Sequence, residues 1–198
     1  MSASALARWG GLAAMLGGVM WVLKGGAIML TGEQPPILFE AALPLFAVGL
    51  VGLHACLGGR GGRLGKTGLL LAYAALASAL VALVGWTLAP AEWVPNEDSI
   101  TPLTPFIVLA GLGPFVGLVL LGIATLRAKA MPAPWSALPL VMGAGAVPLM
   151  LVGGVLELVN ERLFELPIVL LGFAWVLLGY SVWSRKDKVI PQPTARVS

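Results

Sequence analysis

Six stretches of this chain are apolar for long enough to cross a bilayer, and that one feature removes most folds from consideration. They cover 6–30, 37–57, 67–89, 103–126, 137–160 and 166–184. A hydrocarbon core about 30 Å thick calls for roughly 20 apolar residues of helix. The runs are continuously apolar, whereas barrel strands alternate lipid-facing and lumen-facing residues over about ten positions. Helices also satisfy every backbone polar group internally, which an isolated strand in lipid cannot do. Composition agrees: 59% of residues are hydrophobic and 11% charged, against roughly 45–50% and about 25% in soluble domains. The expected fold is an all-α integral membrane bundle over residues 1–188, followed by a tail, 189–198, whose prolines and lack of period predict disorder. The first run exceeds the roughly 7–15 apolar residues of a secretory signal, so it reads as a retained helix.

Charge sorts the connecting loops. Arg8, then Arg60, Arg63 and Lys66, then Arg127 and Lys129, then Arg185, Lys186 and Lys188 fall on one side. Glu33, then Glu92, Glu97 and Asp98, then Glu161 with Arg162 fall on the other. Short loops rich in lysine and arginine stay in the cytoplasm, so the expectation is a multi-pass protein of the bacterial cell membrane with both termini cytoplasmic. Trp9, Trp135 and Trp183 mark the inner boundary, and Trp86 and Trp93 the outer one. The acidic loop 90–102 is expected to lie along the outer headgroups, with Asn96-Glu97-Asp98-Ser99 capping the fourth helix. The net charge of +3 therefore reflects topology and anionic headgroups, not nucleic acid.

A two-helix unit is used more than once. Leu38-Phe39-Glu40 and Leu163-Phe164-Glu165 stand 125 residues apart, and the same interval separates Arg60 from Arg185. Trp9, Leu12 and Gly17 correspond to Trp135, Leu138 and Gly143 at an interval of 126. The middle pair of helices matches in length and in its basic exit, Leu126-Arg127, but lacks the Leu-Phe-Glu signature. Three parallel hairpins are the expectation, the first and third most alike. Inverted repeats would need an odd number of helices per unit.

Few side chains could carry chemistry. Lys24 is deep in the first run, where a lysine costs about 2.5–3.5 kcal/mol near the bilayer centre. It continues a stripe of Gly10 and Gly17 at seven-residue steps, so it should face protein. Lys24 lies fifteen residues past Trp9, and Glu40 lies twenty before Arg60. At about 1.5 Å per residue these are heights of roughly 22 and 30 Å, which a snorkelling lysine can bridge. A Lys24–Glu40 ion pair inside the first hairpin is the expectation. Glu157, Glu161 and Glu165, with Asn160 and Arg162, form a second candidate polar cluster on the acidic side, and Glu40 and Glu165 also suit helix amino termini.

Other motifs dissolve on inspection. Cys56 is the sole cysteine and His54 the sole histidine, which excludes an intramolecular disulfide and a bis-histidine haem. No spacing fits a calcium loop, and the GGRGGRLGK segment lacks the strand and glycine placement of a phosphate loop, so it reads as a flexible basic turn. No metal or cofactor is implied. Small-residue stripes (Gly11, Gly18, Gly25; Gly113, Gly117; Ala72, Ala79; Gly172, Gly179) predict close helix packing within the chain, or contact with a second copy or partner membrane protein. With no nucleophile or acid–base pair in view, the sequence points to a non-enzymatic scaffold, accessory subunit or binder of a lipophilic ligand. The alternative is a small-solute transporter with a polar site near the outer leaflet around Lys24, Glu40 and Glu157. An intramembrane enzyme acting on lipid finds no matched residue pair.

Overall fold

A computed structural model describes residues 2–93 and 100–185. Six long helices account for the predicted spans: α1 Ala3–Thr31, α2 Leu38–Ala55, α3 Gly62–Leu88, α4 Thr104–Arg127, α5 Leu138–Glu157 and α6 Glu165–Trp183. All are long and apolar enough to cross a membrane, and no strand occurs among the described residues. The tail 189–198, and the capping role expected of Asn96–Ser99, lie outside the described residues.

Local chemistry sets the ends. Ser2 accepts the Ala5 N–H at 3.2 Å to begin α1, as an N-cap serine does. Gly32 ends it at φ +80°, donating its N–H to the Ile28 carbonyl at 2.8 Å. Before α6, Asn160 accepts the Arg162 N–H at 3.0 Å and starts a single 3₁₀ turn, Glu161–Phe164. Helix α3 differs from expectation at its start. The basic turn winds into helix from Gly62, five residues early, so Arg63 and Lys66 stand on its first turns. Gly65 there packs over Leu57 and the His54 ring, contacts that favour a wound backbone over a loose one. Helices α2, α4 and α5 continue through Pro44, Pro114 and Pro148, since a bundle can re-satisfy the freed carbonyls.

Consecutive helices neighbour one another, and α6 returns to α1 to close the ring. Helix α2 touches α1, α3, α4 and α6, so it lies innermost. The first two hairpins are tight. The third is opened: α6 packs far more extensively on α1 than on α5. Glycine explains that preference. A methyl at Gly11 would stand 2.7 Å from the Gly179 carbonyl, and one at Gly18 2.5 Å from the Gly172 carbonyl, so the two backbones are in contact along their length. Gly10 and Gly52 bring α1 and α2 together in the same way. The predicted stripes are thus consumed inside the chain.

The space between these contacts holds an aromatic core. Phe46 stacks on Trp175 with centroids 4.4 Å apart, and Trp21 meets Phe46 edge-on at 4.9 Å. Trp21 also stacks on Phe39 at 5.8 Å. Such pairs contribute about 0.5–1.5 kcal/mol each beyond the area they bury, and they join α1, α2 and α6 at mid-height.

Candidate functional site

Chemistry collects at the two ends of the bundle. At the acidic end Lys24 is buried, with 6% of its surface exposed, and so is Glu165. The Lys24 ammonium donates to Glu165 Oε1 at 2.7 Å. The expected partner, Glu40, is not the one used. Gly25 lets the first turn of α6 approach α1 until a methyl there would be 3.3 Å from the Glu165 carbonyl, and this carries the Glu165 carboxylate to the lysine. On the α2 side the Trp21–Phe39 stack intervenes, and the Phe39 ring faces the ammonium at 5.6 Å. A cation over an aromatic face is attracted by the ring quadrupole. Lysine is therefore closed in by a carboxylate and a ring.

The other acidic-end candidates do not join that pair. Glu40 stands in the first turn of α2, half-buried, and its Oε2 meets no donor among the described residues. The same holds for Glu165 Oε2. Glu157 and Glu161 are exposed. Arg162 lies against Gly32, where an added methyl would be 2.8 Å from its guanidinium. No three His, Cys, Asp or Glu side chains gather as a metal set among the described residues.

At the opposite end a cavity of about 800 Å³ opens between α1, α6, the α2–α3 turn and the α4–α5 connection. Arg8, Arg60, Lys129 and Arg185 line it, and among the described residues no aspartate or glutamate does. Arg185 is anchored by donating to the Cys56 carbonyl at 3.4 Å and to the Ala130 carbonyl. Lys129 follows the α4 C-cap with φ +46°. Its N–H donates to Leu126 O at 3.2 Å and the Ala130 N–H to Thr125 O at 3.1 Å. That is a Schellman closure, which favours glycine at the position lysine occupies. Sequence reasoning assigned these cations to topology alone. The signal available was the interval that relates Arg60 to Arg185, since both line the cavity.

The fold and its two charged ends define a polytopic α-helical membrane bundle. No protein-family model, curated protein or solved structure matches the chain.

Proposed function

We propose that this chain is a non-enzymatic protein of the cell membrane, a packed helical scaffold that holds a lipophilic ligand. Its basic end and both termini face the cytoplasm, as loop charge requires. The observation that carries this reading is the closure of Lys24 on Glu165 at 2.7 Å with 6% exposure on each residue. A transport site must open its charged group to one side of the membrane and then the other. Here the one buried cation among the described residues is spent on holding α6 to α1. The cavity lies at the other end of the bundle, where ligand would enter from the inner leaflet. The glycine stripes are occupied within the chain, so a second copy or a partner subunit would dock on α5, the helix with the smallest buried share.

A second reading, small-solute transport near the outer leaflet, draws on Glu40 Oε2 and Glu165 Oε2, both buried without donors. One comparison separates the two. Wild type and the Lys24→Met/Glu165→Met double variant are purified and analysed for co-purified lipophile by native mass spectrometry. Both are also reconstituted and screened for solute-driven current with amino acids, sugars and monovalent cations. The scaffold reading expects the same bound lipophile in both proteins and no current in either. Current in the wild type that vanishes in the double variant would establish transport instead.

A further inference from the structure

The basic-end cavity has the composition of an anion site, and its position in the bundle says which kind. Resting on the ligand-binding reading above, we propose that it holds the phosphodiester headgroup of an anionic phospholipid, its acyl chains leaving past Tyr180 into the inner leaflet.

Four cations from four parts of the fold converge there: Arg8 from α1, Arg60 after α2, Lys129 after α4 and Arg185 after α6. Like charges around one cavity repel, and among the described residues nothing acidic lines it to offset them. A bound anion removes that repulsion and gains charge-assisted hydrogen bonds. The one ion pair among the described residues, Lys24–Glu165, sits at the far end.

Arg185 is built for the task. A guanidinium has five N–H donors in a planar fork that matches phosphate oxygens. The Cys56 and Ala130 carbonyls take one donor from each terminal nitrogen, so its plane is set before ligand arrives. Lys129 adds a second sign. It occupies a left-handed backbone position that glycine would fill without strain, and that local strain sits at the cavity rim, where strained residues tend to serve binding.

Shape and lining choose lipid over free phosphate. At about 800 Å³ the cavity falls within the roughly 300–1,000 Å³ of sites for whole organic ligands, far more than one phosphate needs. Ala7, Ala55, Met131 and Val182 supply apolar wall beside the cations. Trp135 and Tyr180 stand at its edge, as aromatic side chains do at headgroup level. Basic pockets between helices on the cytoplasmic side are where anionic headgroups bind.

Cys56 lines the same cavity and is the sole cysteine, so its alkylation by a maleimide reports occupancy without engineering. The full chain is placed in phosphatidylcholine nanodiscs and phosphatidylglycerol is titrated in. The expected result is a labelling rate that falls as phosphatidylglycerol rises. The Arg8→Gln/Lys129→Gly double variant should need about tenfold more of that lipid for the same protection, the change in affinity that about 1.4 kcal/mol produces. Its thermal midpoint, expected to stay level or rise because glycine suits position 129, shows that weaker protection is not unfolding. Equal protection in pure phosphatidylcholine overturns the anionic assignment and leaves the lipophilic-ligand reading standing. Protection by inorganic phosphate at millimolar concentration, without anionic lipid, overturns the lipid source. Labelling that no lipid alters overturns both readings.

Discussion

Lys24 and Glu165 form a buried pair in which neither partner tolerates loss of the other. Removing one charge leaves the second in a low-dielectric interior, at a cost of about 3–5 kcal/mol, whereas removing both is often close to neutral. Lys24→Met alone is therefore expected to lower the unfolding midpoint in detergent sharply, and Lys24→Met/Glu165→Met to recover most of it. A double variant as unstable as the single one would show that the lysine acts through packing, not charge. The burial of Lys24 was legible in the sequence, because its cost and its glycine neighbours both demand a protein-facing position. Its partner was not. Glu40 and Glu165 each stand twenty residues from an arginine at the opposite end, so height along the helix cannot separate them. Adjacency in the chain favoured Glu40, and the approach of α6 at Gly25 decided for Glu165. The cavity cations were hidden for a related reason: their meeting depends on four parts of the chain that are distant in sequence.

Among the helices, α1 is clamped on two faces by different rows of glycine, and a glycine inside a row and one outside both make opposite predictions. Gly18 touches the Gly172 carbonyl and Val176 of α6. Gly18→Val should force the helices apart and cost about 1–3 kcal/mol, the range for overpacking a filled interior. Gly26 has nothing within 4 Å of where a methyl would stand. Gly26→Ala should stabilise by about 0.5–1 kcal/mol through helix propensity. Thermal melts of the two variants would test the helix face directly, and equal effects would contradict it. Span existence and ends were readable to within a few residues at most boundaries, because apolar length and caps are local. The facing of each span was readable only where glycine recurred. A helix that is apolar all round carries no polar face to mark its lipid side, which is why the core roles of Trp21, Phe46 and Trp175 left no trace in the pattern.

Taken whole, the bundle is a ring closed by its first and last helices. The sidedness proposed from loop charge is open to a direct test. Because lipid in the cavity would shield Cys56, the probe is a Thr67→Cys substitution in a Cys56→Ala background, at an exposed position on the first turns of α3. A membrane-impermeant maleimide should reach it in inverted vesicles and not in intact cells, and the reverse result would invert the proposed topology. The ring closure also bears on synthesis. A ribosome delivers α1 first and α6 last, so Lys24 enters the membrane long before Glu165 exists. Through that interval the nascent chain carries a lone ammonium whose counter-charge candidate nearest in the chain is Glu40, a side chain whose Oε2 meets no donor among the described residues of the finished protein. A chain stopped after Asn160 should accordingly fail to accumulate, and pulse-chase turnover should show it degraded faster than the full chain; equal lifetimes would mean that the early helices hold without the last. In cells, release of the final helix is then the event that turns an unstable insertion intermediate into a durable protein.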